Sequence, residues 1–402
     1  MHIWIDAEPS RLAPEICGYT TLERVLRSIA KEAGATANTV YVSGMPDVPN
    51  DPRYTVLNDD GTAGERLGKF LETTEGPVLA LDGGAVTDTR LLPLMMALEE
   101  PACFVSGAGE TGSAILRLAS STSPAKEAGS LREIADELVS TGAVRRADAT
   151  EFSDFIQNLR RNVPFTLERM PDEQARDALE KRLFHLNYKG STDFMTKWVY
   201  PPIVWVLVRL CIRWKITPNM VTIFSIFLTI LAIPLFALGY WLAGFAAAYA
   251  MTILDSVDGK LARLTLTDSA IGNILDHGLD IVHPPFWYAA WAMGLSISNP
   301  DFPLFDATLW LIFFYIADRL ALMVAKKRFG RGLHAVTPLD GFVRTWIARR
   351  NVNLVVFTLG VAVGLGPEAF IFITVWQGLT FVWHSLRTAW LYPKARHEPM
   401  LT

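Results

Sequence analysis

The amino-acid sequence predicts a multi-domain protein: an N-terminal α/β domain followed by an all-α domain of six transmembrane helices with an interfacial helix ahead of them. Three observations predict it. At 402 residues, half of them apolar, the chain is long enough for two or three domains. Charges are frequent up to about Asp193, whereas apolar runs broken only by short polar stretches dominate from Trp198 onward. In the first part, short β-like runs alternate with helical patterns, which argues an α/β sheet.

The β-like runs are Ile3 to Asp6, Val40 to Ser43, Val78 to Leu81 and Cys103 to Ser106, with a helical spacing at Leu22, Val25, Leu26 and Ile29. This domain is expected over residues 1–150. Residues 151–193 are charged and helix-prone, including Asp172 to Leu186, and are expected to form a helical connector to a membrane domain over 194–392. The N-terminus, Met1-His2-Ile3-Trp4-Ile5-Asp6, lacks the positive region and apolar stretch of a signal peptide, so the first domain is expected in the cytoplasm. A net charge of −4 with no basic arm argues against nucleic acid as a partner. Cys17, Cys103 and Cys211 are too far apart for a zinc spacing and odd in number for a disulfide framework, so they read as reduced thiols.

Crossing the hydrocarbon takes roughly 20 mainly apolar residues in a helix, because lipid offers no partner to unpaired backbone groups. Six segments come close: Met220 to Leu238, Ala243 to Ala262, Ile271 to Leu295, Phe305 to Ala325, Val352 to Gly366, and Ala369 to Trp390. Trp198 to Trp214 is also apolar, but Pro201 and Pro202 interrupt its start and Arg209 and Arg213 lie near its end, which suits an interfacial helix. Lys and Arg fall before the first segment, between the second and third, between the fourth and fifth, and after the sixth; the alternate connections hold none. The positive-inside rule then places both termini, and any site on that face, in the cytoplasm.

Two of these segments share an unusual run. It begins Asp255-Ser-Val-Asp258-Gly259-Lys-Leu-Ala262-Arg263 and continues to Gly272, Asp276 and Asp280. Asp255 and Asp258 are three apart and Asp276 and Asp280 four apart, so each pair shares a helix face and the pairs can converge. A carboxylate inside a membrane segment costs roughly 3 kcal/mol on insertion scales. Divalent cations are the simplest compensation for four of them, and all-oxygen ligation suits Mg²⁺ or Mn²⁺, which bridge carboxylates to substrate phosphates. Gly259, Ala262 and Gly272 lack bulk and admit a ligand closely, while Arg263 offers a guanidinium fork for phosphate oxygens.

The run resembles, without a gap, the Asp-x2-Asp-Gly-x2-Ala-Arg-x8-Gly-x3-Asp-x3-Asp signature of the CDP-alcohol phosphotransferases. The resemblance covers roughly Thr196 to Trp390 and implies six spans behind an interfacial helix, and a homodimer. It implies that Asp255, Asp258 and Asp276 bind metal, that Asp280 is the general base and can touch a second metal, and that Gly259, Ala262, Arg263 and Gly272 line the CDP pocket. It further implies transfer of a substituted phosphate from a CDP-linked donor to an alcohol acceptor, with release of CMP, in polar-lipid synthesis. No Ser, Cys or His stands out beside the signature as a nucleophile, which favours direct displacement. The contrasting class is a transporter or a membrane scaffold, but neither mid-membrane helix breaks nor a repeated half is evident.

Other residues admit two readings. His283 follows Asp280 by three and can assist it, or can be a polar residue beside the kink at Pro284 and Pro285. Asp318 and Arg319 are intramembrane charges, functional or paired between helices. His334, Arg344, Arg349 and Arg350 can bind an anionic group of donor or acceptor, or lipid headgroups. Asn219 can contact the nucleotide or cap its helix. In the first domain, Cys17 to Leu26, Gly61-Thr62-Ala63-Gly64 and Leu79 to Gly84 look like pieces of a sugar-nucleotidyltransferase of Rossmann-like fold. The stretch standing for that family's Gly-rich phosphate loop, Asp6 to Leu12, has no glycine, so the domain reads as degenerate. Asp82 occupies the place of that family's strand-end aspartate and can hold a metal. If the first domain makes or once made a CDP-linked head group, the acceptor is a lipid or polyol hydroxyl; otherwise CDP-diacylglycerol is the donor and a small alcohol the acceptor.

Overall fold

The computed structural model describes residues 1–32, 40–49, 51–268 and 270–393, with the backbone alone for 270–277, 279 and 280. It divides into two compact units, residues 1–155 with 162–186, and residues 156–161 with 187 onward.

The first unit runs β1 (His2–Asp6), α1 (Thr21–Glu32), β2 (Val40–Ser43), β3 (Thr55–Val56), α2 (Ala63–Thr73), β4 (Val78–Asp82), β5 (Ala85–Thr87), α3 (Leu91–Ala97), β6 (Ala102–Ser106), β7 (Ser113–Leu118), α4 (Leu131–Ser140) and β8 (Arg145–Ala147). Seven of these strands form one sheet in the order β3-β2-β1-β4-β7-β6-β8. β1 is parallel to β2 and β4, while β7 is antiparallel to β4 and β6. Because strand side chains alternate faces, the sheet has two cores. Ile3, Ile5, Leu79 and Leu81 pack with α1 and α3, whereas Trp4, Val78 and Ala80 pack with α2 and α4. The α/β reading stands, with helices on both faces of the sheet.

Residues 151–193 differ from a single helical connector. β9 (Phe155–Ile156), β10 (Arg161–Asn162) and β11 (Leu167–Arg169) come first, and only then α5 (Glu173–Leu186). β11 pairs antiparallel with β5 and buries Leu167 in the core beside α1. Val163, Phe165 and Thr166 flank Pro164, and residues of these types favour extended backbone.

In the second unit a single π-turn (Met195–Val199) leads into α6 (Tyr200–Arg213), followed by α7 (Pro218–Ala237), α8 (Trp241–Leu264), α9 (Ala270–Ser296), α10 (Leu304–Phe329), α11 (Pro338–Val343), α12 (Arg350–Ala362) and α13 (Gly366–Leu391). Among the described residues, four helices are long and apolar enough to cross a membrane: 195–213, 218–237, 304–329 and 366–391. The first is the stretch expected at the interface, and by length and composition it also qualifies as a span. α12 is apolar but short, and α9 continues through Pro284 and Pro285.

The surface of this unit is inverted relative to a protein folded in water. Ile223, Phe227 and Ile230 on α7 and Phe305, Leu309 and Phe313 on α10 are exposed, while Ser225 and Thr229 are buried. Hydrocarbon accepts such a surface and water does not, so this is an integral membrane protein. Its apolar core gathers Phe236, Trp287, Trp291 and Phe357, with Trp291 stacked on Phe357 at 4.2 Å. A Cβ on Gly294 would collide with the Phe236 carbonyl, and one on Gly244 with the Phe236 ring. Small residues therefore let α8 and α9 lie close against α7.

Candidate active site

That close packing positions the acidic run. Asp255, Asp258, Gly259, Ala262 and Arg263 occupy the last turns of α8, and Gly272, Asp276 and Asp280 lie on the first turns of α9. The side chains of Asp276 and Asp280 and the surroundings of Gly272 lie outside the described residues. Asp258 is buried, at 4% exposure, and both of its oxygens are oriented. Thr222 Oγ1 on α7 donates to Oδ2 at 2.7 Å, and the Gly259 N–H donates to Oδ1 at 2.5 Å. Asp255 accepts from Arg350 Nη2, at the start of α12, at 2.7 Å. The Arg263 guanidinium folds back over Gly259, where an added Cβ would stand 3.4 Å from Nη1, and its Nε donates to Asn187 Oδ1 at 3.1 Å. Ala262 is half-buried beside it.

The arrangement offers oriented carboxylate oxygens beside a guanidinium and a residue with no side chain. Such a set suits a metal-bound diphosphate. Among the described residues no group of three or more His, Cys, Asp or Glu side chains forms a metal site, and the two aspartates that would enlarge this one lie outside them. Residues 215–383 match the family model described as CDP-alcohol phosphatidyltransferase. The second unit carries a CDP-alcohol phosphatidyltransferase domain.

Relatives agree with this domain. The chain is 29% identical to cholinephosphotransferase 1 of Gallus gallus over 164 residues, 38% of this chain and 48% of that one. It is 34% identical to the inner membrane protein YnjF of Escherichia coli K12 over 116 residues, 29% of this chain and 53% of that one. The chain thus spans about half the length of these curated relatives. A crystal structure of Mycobacterium tuberculosis phosphatidylinositol phosphate synthase with CDP-DAG bound aligns at 21% identity and a TM-score of 0.38, covering 49% of this chain and 98% of that one, too loose a likeness to carry an argument.

Several participants in this phosphatidyltransferase domain escaped the sequence reading. Thr222 lies outside the acidic run, on the preceding helix, and Arg350 stood in the sequence only as one of a basic group. Lys260, an unassigned position inside the run, is 5% exposed, with its ammonium 3.8 Å from the centre of the Tyr188 ring and donating to the Ser256 carbonyl at 3.4 Å. A lysine amid apolar neighbours was the available signal. Asn219 is exposed, and the residue that caps α7 is Thr217, which accepts from the Met220 N–H. His283 is buried with its ring edge-on to Trp287 at 4.8 Å.

Asp318 does not pair with its neighbour Arg319. Its Oδ1 lies 2.5 Å from His384 Nδ1 on α13, whereas the Arg319 guanidinium sits over the Tyr315 ring at 4.8 Å. His334 is buried against His384, ring centres 4.9 Å apart. Burial pushes the Asp193 carboxyl up, but the field of Arg349 and hydrogen bonds from Thr196 and Asn351 outweigh it and hold Asp193 below the usual carboxylate range.

In the first unit, Asp82 Oδ2 accepts from Arg169 Nε at 2.6 Å and Ser113 Oγ at 2.8 Å, and Oδ1 accepts from the Gly84 N–H at 2.9 Å. Both oxygens of the strand-end aspartate are thereby engaged within the protein. Asp6, opposite Asp82 in the sheet, is ion-paired with Arg66 at 2.6 Å, and both are almost fully buried.

Proposed function

We propose that this chain transfers a substituted phosphate from a CDP-linked donor to the hydroxyl of an alcohol acceptor, releasing CMP, in the synthesis of a phospholipid or other polar lipid. The observation that carries the reading is the end of α8 within a CDP-alcohol phosphatidyltransferase domain. There, buried Asp258 is held by Thr222, Asp255 is oriented by Arg350, and Arg263 lies over Gly259. Asp255, Asp258 and Asp276 would hold Mg²⁺ or Mn²⁺, with Asp280 on the same helix as Asp276. The donor set present, carboxylate oxygens without thiolate or imidazole, fits these hard cations. Bound there, the cations supply charge neutralisation at the diphosphate and at the departing CMP.

The chain's own residues do the rest. Gly259, Ala262 and Gly272 leave room for the nucleotide, and Arg263 offers its fork to diphosphate oxygens. Asp280 takes the proton of the acceptor hydroxyl as that oxygen attacks phosphorus, and the bond to the CMP oxygen breaks. Six spans, an interfacial segment at 195–213, a homodimer and a cytoplasmic active site belong to the same reading. The cations of Lys260, Arg263, Arg344, Arg349 and Arg350 at one side of the membrane support that sidedness. The first unit, whose Asp82 is occupied by Arg169, acts in this reading as a degenerate nucleotidyltransferase-like domain.

The test is CMP release from labelled CDP-diacylglycerol and CDP-head-group donors with Mg²⁺ or Mn²⁺, comparing wild type with Asp280→Asn. Release by wild type alone is expected. Equal release by both proteins removes Asp280 from the role of base.

A further inference from the structure

A strap of irregular chain lies against the last turns of α8. It runs from Asn187 to Asp193, between α5 and the π-turn, and belongs to the second unit. Asn187 Oδ1 accepts from Arg263 Nε at 3.1 Å, and the Tyr188 ring meets the Lys260 ammonium at 3.8 Å. Lys260 and Arg263 are three apart and share a helix face, and two consecutive residues of the strap take one each.

The rest of the strap is fixed within the same unit. The Gly190 N–H donates to the Leu159 carbonyl at 2.7 Å, and a Cβ on Gly190 would stand 2.7 Å from the Arg160 carbonyl oxygen, which leaves no room for a larger residue. Arg160 Nη1 donates to the Ser191 carbonyl at 3.3 Å. Buried Asp193 accepts from the Thr196 N–H at 3.1 Å and from Asn351 Nδ2 at 3.2 Å. Asn351 stands next to Arg350, which orients Asp255.

This anchoring decides how Arg263 can meet a phosphate. An arginine side chain is long and has much rotamer freedom to lose on binding. Its guanidinium carries a single N–H on Nε, and the other donors sit on the two terminal nitrogens. The Nε–H points to Asn187, and the terminal edge stands over Gly259, where an added Cβ would lie 3.4 Å from Nη1 and 3.6 Å from Nη2. The fork is thereby held with that edge toward the one residue of the turn that has no side chain, and such an edge matches two oxygens of a phosphate. Lys260, the other cation of the turn, is held by Tyr188 and the Ser256 carbonyl.

Resting on the transfer reading above, we propose that Asn187 is a positioning residue for the donor: it acts through Arg263, presenting the guanidinium edge to the diphosphate of the CDP-linked substrate, and the strap of residues 187–193 sets its place. Asp255 and Asp258 are oriented by Arg350 and Thr222 instead, so donor affinity and metal affinity are separable.

The experiment measures CDP binding to the detergent-purified full chain by isothermal titration calorimetry in saturating Mn²⁺, with Mn²⁺ binding and a melting curve recorded for each protein. Asn187→Leu removes the acceptor at similar volume, and Asn187→Ala removes it with the side chain, so that one misfolded variant does not decide the outcome. Each should weaken CDP binding about tenfold, the scale of one hydrogen bond to a charged group, while Mn²⁺ affinity stays within about twofold of wild type. In a double-mutant cycle with Arg263→Lys, which lacks both the Nε–H and the planar fork, neither substitution should cost further CDP affinity. CDP affinity within about twofold of wild type in a folded variant, an equal loss in the Arg263→Lys background, or a matching loss of Mn²⁺ affinity would overturn the assignment. If wild type binds Mn²⁺ and CDP and both variants bind them equally well, the role of Asn187 falls and the transfer reading stands; a wild-type chain that binds no CDP removes both.

Discussion

Replacing Thr222 with valine isolates one contact of the proposed metal site. The substitution keeps the β-branched shape on α7 and removes the hydroxyl that lies 2.7 Å from Asp258 Oδ2. Asp258 is 4% exposed, so water cannot readily replace that donor. A hydrogen bond to a charged group contributes about 1.5–3 kcal/mol. Where the carboxylate must stay ionised and aimed, that loss appears as weaker metal binding, and 1.4 kcal/mol is about tenfold in affinity. Thr222→Val should therefore weaken Mn²⁺ binding by about 10- to 100-fold, the range seen when groups orienting metal ligands are removed. The assay is an electron paramagnetic resonance titration of free Mn²⁺ against the detergent-purified chain, with a melting curve to show that the variant is folded. A folded variant whose Mn²⁺ affinity stays within about twofold of wild type would refute the reasoning.

Other consequences are open to measurement. Asp280→Asn should lower the rate of CMP release by about 10²–10⁴-fold, the range for loss of a positioned base, as followed by single-turnover release. Chelation by EDTA should abolish CMP release, and excess Mn²⁺ should restore it; activity that survives chelation speaks against the cation. Asp318→Ala leaves His384 Nδ1 buried without its acceptor and should cost about 2–3 kcal/mol of stability, read as a lower melting temperature. Burial pushes the Asp6 carboxyl from 3.8 up to about 6, against the pull of Arg66. The native chain thus holds this proton more tightly than the unfolded chain, so this group's contribution to stability falls as pH rises from about 4 to about 6 and is then level. Denaturant unfolding of Asp6→Asn across that window should show a shallower fall than wild type.

Apolar runs of this length leave few alternatives to helix, so α7, α8, α9, α10 and α13 begin and end within a few residues of the segments read from the sequence, although of these only α7, α10 and α13 qualify as spans by length and composition among the described residues. The acidic run was legible for a different reason: its spacing lies within two helices, so local periodicity places the residues. What tertiary structure supplies was hidden. Thr222 meets Asp258 across 36 residues and Arg350 meets Asp255 across 95, and no local pattern announces either pairing. His384 was passed over, although it is the partner of Asp318, because the two are 66 residues apart on different helices. β11 escaped because three residues are too few to show alternation, and its place depends on pairing with β5. In the first unit, the missing glycines of the Asp6 to Leu12 stretch could be read directly, while the closure of Asp82 by Arg169, 87 residues away, could not.

Diffraction from Mn²⁺-soaked crystals of the full chain, recorded at the manganese absorption edge, bears most directly on the whole account. An anomalous peak between α8 and α9, within coordinating distance of Asp255, Asp258 and Asp276, is the predicted result. Manganese absent from that place in crystals that bind it elsewhere, or aspartates of the two helices turned away from each other, would contradict it.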